Sequence, residues 1–149
     1  MLLCWSLDWQ HLAAGAIVAL LVTAATGGLF ITRPHVLKHP QRYGWFLYYV
    51  PVFIWECLKA NIDVAFRVIH PDLPIRPGIV KVTTKLRSET GLTFLANSIT
   101  LTPGTLSVDI DREAGVLYIH WINVASTDCE KASQIIVSKF EKILGKIFE

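Results

Sequence analysis

The sequence predicts a membrane protein in two parts: an α-helical N-terminal half with two apolar helices, and a small α/β domain at the C-terminus in the order strand, helix, strand, strand, helix. Three observations lead there. Residues 12–31 contain no charged side chain, and a run of about 20 apolar or small residues matches the hydrocarbon thickness of a bilayer. The chain as a whole is 52% hydrophobic and only 17% charged, with a mean hydropathy of +0.44, more apolar than an ordinary soluble domain. From Pro71 onward the pattern becomes one of short alternating runs punctuated by proline and glycine, as in a water-soluble fold. The expected division is a membrane region over residues 1–70, with helices at about 10–32 and 43–69, and a soluble α/β domain over residues 71–149.

Charge and cysteine usage narrow the function classes. The formal net charge is +2, and lysine and arginine are scattered among the acids rather than gathered on a face, so nothing suggests a nucleic-acid partner. Cys4, Cys57 and Cys129 lie far apart and show no Cys-x-x-Cys or Cys/His spacing, which argues for isolated thiols and against a zinc site or a disulfide framework. Residues 1–10 hold no Lys or Arg and carry Asp8, unlike the basic start of a secretory signal. The apolar run that follows is longer than a signal core, so retention as an anchor is expected.

The first helix is rich in small residues: Ala13, Ala14, Gly15, Ala16, Ala19, Ala24, Ala25, Gly27 and Gly28. In lipid, small residues matter because they let backbones approach and gain dispersion contacts, so this helix is expected to pack against protein. Arg33, Lys38 and Arg42 then lie in a short basic connector fenced by Pro34 and Pro40, which a helix cannot cross unbroken. Arg76, Lys81, Lys85 and Arg87 follow the second helix, so the positive charges flanking it are nearly balanced and do not set its orientation.

The second helical segment begins as an aromatic run, Trp45, Phe46, Tyr48, Tyr49, Phe53 and Trp55, suited to a headgroup interface. It then changes character. Glu56, Lys59, Asp63 and Arg67 recur at spacings of three, four and four, which sets them in one helical stripe of alternating sign. Two readings are open. Either the second half of the helix lies in the interface with a self-paired charged face, or Glu56 and Lys59 sit at membrane depth against a neighbouring subunit, where ionisable groups are costly and are paired or functional.

In the soluble part, residues 79–86 read as a strand and Ser88 caps a short helix from Glu89 to about Ser98 whose Leu92, Leu95, Ala96 and Ile99 face a core. Thr102-Pro103-Gly104-Thr105 has the proline and glycine positions of a type II turn. A strand follows in which Leu106, Val108 and Ile110 are expected to be buried and Ser107, Asp109 and Asp111 wet. A hairpin at residues 112–115 returns into the apolar run 116–124, expected at the centre of the sheet. A last helix is expected to open with a capping box from Thr127 to Glu130, with Ala132, Ile135, Ile136, Phe140, Ile143, Leu144, Ile147 and Phe148 as its apolar stripe.

No catalytic constellation appears: the sequence has no phosphate-binding glycine loop, nucleophile elbow, dinucleotide fingerprint or His-Glu-x-x-His helix. No metal-ligand or cofactor pattern is visible, and His120 has no evident catalytic partner. The hydroxyls of Ser98, Thr100, Thr102 and Thr105 sit past a helix C-terminus, which presents carbonyls and not amides. Local side-chain to backbone bonding accounts for them better than a phosphate does.

Leu95-Ala96-Asn97-Ser98-Ile99-Thr100-Leu101-Thr102-Pro103-Gly104-Thr105, with Pro77-Gly78-Ile79-Val80 before it and Leu117-Tyr118-Ile119-His120-Trp121 after it, closely resembles the E-type subunits of the Mrp/Mnh-type multisubunit Na+/H+ antiporters. The resemblance reaches back through Trp55-Glu56-Cys57-Leu58-Lys59-Ala60-Asn61. Members of that family commonly begin with a further apolar segment, of which residues 2–7 would be the counterpart here. The resemblance implies a multi-pass protein of the cell membrane with a cytoplasmic C-terminal domain. Its partners would be other Mrp-type subunits, or hydrogenase-type subunits where the module serves a membrane-bound hydrogenase-like respiratory complex. It implies no enzyme activity and no cofactor of the chain's own. Pro77, Gly78, Ala96, Asn97, Thr100, Thr102, Pro103, Gly104, Thr105 and His120 become structural motif residues, and Glu56, Lys59, Asp63 and Arg67 candidate intramembrane or interface charges.

Overall fold

The computed structural model describes residues 9–30 and 40–149. It divides into two compact units, Met1–Lys38 and His39–Glu149, each considered by itself. Cys4 and most of the basic connector, with Arg33 and Lys38, lie outside the described residues.

The first unit contributes α1, Trp9–Phe30, where the sequence places the first helix. Ile17, Val18, Leu20, Leu21 and Val22 are all exposed on it, as expected of a helix apolar around its circumference, which must be covered by lipid or by protein. Among the described residues no helix is long and apolar enough to cross a membrane. The expected pair of apolar membrane helices is thus matched by two helices, not by two demonstrated spans, and in the second the charges at positions 42, 56, 59, 63 and 67 interrupt the apolar run.

That second helix, α2, runs Pro40–Ile69 and opens the second unit. It contains Pro51, whose ring removes one backbone donor on an exposed side of the helix. Its inner face buries Tyr49 and packs Trp45, Val52 and Phe53 against the core of the domain that follows. Leu47, Ile54, Leu58, Ile62 and Ile69, on the opposite side, are exposed.

The α/β domain is present. Strands β1 (Gly78–Thr83), β2 (Thr105–Asp111) and β3 (Val116–Trp121) form one antiparallel sheet in the order β1-β3-β2, so β3 is central, as its apolar content predicts. Between them α3 (Glu89–Leu101) is capped by Ser88, which accepts from the Gly91 amide. The core lies on one side of the sheet: Val80, Val82, Leu117 and Ile119 meet Leu95, Ile99, Phe140 and Leu144 from the helices.

Several sequence expectations need correction. The strand expected to 86 ends at Thr83, after which Thr84 donates to Glu141 at 2.6 Å and Leu86 is buried outside any strand. The alternation read for β2 is inverted at its start: Leu106 and Val108 are exposed, whereas Ser107 turns inward and donates to the Ala96 carbonyl at 3.1 Å. The cause is a β-bulge between Ser107 and Asp109, which shifts the pleat so that only Ile110 of the three apolar residues packs on the core. The last helix is two helices, α4 (Cys129–Ile136) and α5 (Ser138–Phe148), joined at buried Val137, and Ile135 of the expected apolar stripe is exposed. Ser133 and Ser138 donate to the carbonyls four residues back, Cys129 and Gln134, a pattern that bends helices. The N-cap of α4 is Asp128, accepting from the Lys131 amide, and not the expected Thr127.

Candidate functional site

The charged stripe of α2 and the Pro-Gly turn meet across one cleft. Glu56, Lys59 and Asp63 form one wall, Thr102, Pro103 and Thr105 a second, and Trp121, Ile136, Lys139 and Phe140 close it around about 320 Å3. Helical spacing brings the stripe there, since positions 49, 52, 56, 63 and 67 share the face of α2 that carries the buried Tyr49.

The ionised groups bind one another. Glu56 accepts from Lys59 at 2.5 Å through one carboxylate oxygen and from Lys139 of α5 at 2.6 Å through the other. Its side chain is 15% exposed, so burial of the carboxylate is offset by two cations. Asp63 receives both Nε and Nη2 of Arg67 at 2.8 Å, and Arg67 Nη1 donates to the Pro74 carbonyl at 2.9 Å. With its amide oxygen turned toward Arg67, Asn123 lies 3.0 Å from Nη1. Arg67 thereby ties α2 to the segment that leads into β1 and to the residues after β3.

The threonine-rich motif is a helix stop held by its own side chains. Thr102 closes the end of α3 by donating from its amide to Ser98 and Ile99 and from its hydroxyl to Ser98. Thr105 donates its hydroxyl to the carbonyls of Ile99 and Thr102 at 2.6 and 2.9 Å, and its amide closes the turn onto the Thr102 carbonyl. Gly104 has φ +91°, the value a type II turn needs at that position, and a Cβ there would stand 3.0 Å from Ile122 and 3.5 Å from Val64 of α2. Cys57 directs its thiol at the Leu101 carbonyl, 3.7 Å away. Thr100 accepts from the Ser107 amide and braces β2.

The remaining motif residues lie elsewhere. Ala96 is buried beneath β2, and Asn97 is exposed beside it. Gly78 opens β1 where a Cβ would come within 3.1 Å of Val124, and Pro77 precedes it on the surface. His120 is exposed on the sheet face turned away from the helices, between Ile79 and Leu106. Sequence reasoning missed Lys139, Trp121 and the pairing of Tyr49 with Ser98. Lys139 was legible only as a polar position of a terminal helix, and no local pattern links it to Glu56. Among the described residues no group of three or more His, Cys, Asp and Glu side chains could hold a metal ion.

These features define a class: a small α/β module strapped by a long two-faced helix, whose ionised groups are occupied in holding the strap. The chain belongs to the family of E-type Na+/H+ antiporter subunits, since the family model described as Na+/H+ ion antiporter subunit matches residues 1–147. It is 42% identical over 98 residues to the E-type Na+/H+ antiporter subunit of Alkalihalophilus pseudofirmus, covering 66% of this chain and 61% of the relative. It is 31% identical over 144 residues to the E1-type subunit of Staphylococcus saprophyticus, covering 97% and 86%. The chain thus spans about three fifths of the length of the Alkalihalophilus relative and of its Bacillus subtilis counterpart. In solved structures it is similar to a chain of the membrane-bound sulfane sulfur reductase, an archaeal respiratory membrane complex, with TM-score 0.84 and 45% identity over 99% of this chain and 90% of that one.

Proposed function

We propose that this chain is a non-catalytic accessory subunit of a multisubunit cation/proton antiporter, embedded in the cell membrane through its N-terminal half and bracing the cytoplasmic face with its α/β domain. The observation that carries the reading is the double capture of Glu56 by Lys59 and Lys139. These charges lock a helix to a domain, which is the work of a bracket. Membrane attachment is supported by the charge-free run over residues 12–31, long enough for a bilayer core. The exposed apolar strip of α2, from Leu47 through Ile54, Leu58 and Ile62 to Ile69, supports it as well, because so long a strip is not left in water by a stable protein.

A second reading places the same protein in a membrane-bound respiratory complex, beside hydrogenase-type or related redox subunits. It is favoured by the similarity, over nearly the full length, to a chain of the sulfane sulfur reductase complex. Both readings are tested by deleting the chain from its host and purifying the remaining complex. Loss of assembly or of transport is expected, and a complex unchanged in composition and activity would refute the bracing role. Glu56→Gln separates bracing from direct participation of Glu56, Lys59 and Asp63 in ion movement: full assembly with lost transport would assign them the second role.

A further inference from the structure

Within the unit His39–Glu149, the described helices cover the sheet on one side only. On the other side the register sets Ile79, His120 and Leu106 in one row across the three strands, and Lys81, Tyr118 and Asp109 in the next. Ile79 is 64% exposed, Leu106 49% and Val108 54%. Val108, left unpaired by the bulge, is exposed on the β2 edge of the sheet next to Asp109. A sheet stabilised by two layers does not normally leave such a row in water. The charges at its border are sorted: Lys81 stands on the β1 edge, Asp109 and Asp111 on the β2 edge, and none of the three is in an ion pair among the described residues.

We propose that this face is the docking site for an amphipathic helix of another subunit, which completes a third layer over the sheet. The inference rests on the reading of the chain as part of a complex. Charge complementarity and size commit it to that occupant. Strands about 4.8 Å apart put the two outer strands about 10 Å from each other, the width of one α-helix. A helix lying along the strands presents an apolar stripe at a spacing of three and four to Ile79, Leu106 and Tyr118, with Val108 at the β2 edge. Acidic side chains on one flank then meet Lys81, and basic side chains on the other meet Asp109 and Asp111. His120, at the centre of the apolar row, supplies a polar contact to the docked helix.

The test uses the full chain in its native host, with a photoreactive phenylalanine analogue at Val108 and, in a second version, at Ile62 on the outer strip of α2. The complex is purified in mild detergent, irradiated, and its crosslinked peptides sequenced. The expected product from Val108 joins this chain to a segment of a different subunit whose apolar residues recur with helical spacing between flanks of opposite charge. Val108→Asp should lower the yield of that subunit in the purified complex about tenfold or more, and the joint reversal Lys81→Glu with Asp109→Lys should do likewise, both without changing the circular dichroism or melting of the isolated chain. Crosslinks from Val108 to a second copy of this chain, to lipid alone, or to nothing in a complex that retains its other subunits would overturn this inference and leave the reading as a complex member intact. A preparation in which no other subunit co-purifies would overturn both.

Discussion

Lys139 of α5 lies 2.6 Å from Glu56 of α2, 83 residues away in sequence, and meets the carboxylate oxygen that Lys59 leaves free. This bridge joins the packing of Tyr49, Trp45, Val52 and Phe53 and the Arg67 contacts in holding the long helix against the folded domain. Lys139 is 43% exposed, so solvent screens the pair and its coupling belongs in the range of about 0.5–1 kcal/mol. A double-mutant cycle of Lys139→Ala and Glu56→Ala, read by urea unfolding, is expected to show that coupling. Strict additivity would mean that the pair holds nothing.

The Tyr49 hydroxyl is hydrogen-bonded to Ser98, and the Ser98 hydroxyl donates to the Phe94 carbonyl, so the two side chains form a buried relay from α2 into α3. Removing the tyrosine hydroxyl leaves Ser98 still donating, whereas removing Ser98 strands a buried phenol. Tyr49→Phe is therefore expected to cost about 1 kcal/mol and Ser98→Ala about 1–3 kcal/mol. Thermal melts showing the reverse order would contradict the assignment.

At Gly104 a positive φ and the nearness of Ile122 and Val64 combine. Gly104→Ala is expected to lower stability by about 1–2 kcal/mol from backbone strain alone, and to loosen the contact of the turn with α2. Amide exchange in α2 would report that loosening, and unchanged exchange with unchanged stability would rule it out.

The α4 cap gives a sharp comparison. Asp128→Ala is expected to cost about 1 kcal/mol, while Thr127→Ala, one residue earlier and exposed, should leave stability within a few tenths of a kcal/mol. The opposite ranking would restore the capping box that the sequence suggested.

What was legible in advance was whatever depends on near neighbours. The Ser88 cap, the Thr102 to Thr105 turn and the apolar stripes of α3 and α5 follow from residues within a turn or two of one another. The bulge in β2 was not legible, because nothing in the run from Leu106 to Asp111 marks where a pairing partner will slip; that is set by β3 across the sheet. The helix break at Val137 depends on two serines that read as ordinary polar positions. In the candidate site the stripe Glu56, Lys59, Asp63 and Arg67 was visible from its spacing. Lys139 and Trp121 were not, because only folding brings the C-terminal helix and the end of β3 beside α2.

The central claim is that this chain works as one bracing part of a larger membrane assembly. Its most direct test is purification of the tagged full-length chain from native membranes in mild detergent, with mass spectrometry of what accompanies it. Antiporter-type membrane subunits in fixed proportion, with or without redox subunits, are the expected result. A monodisperse chain that stays in solution without detergent and brings no partner would contradict it.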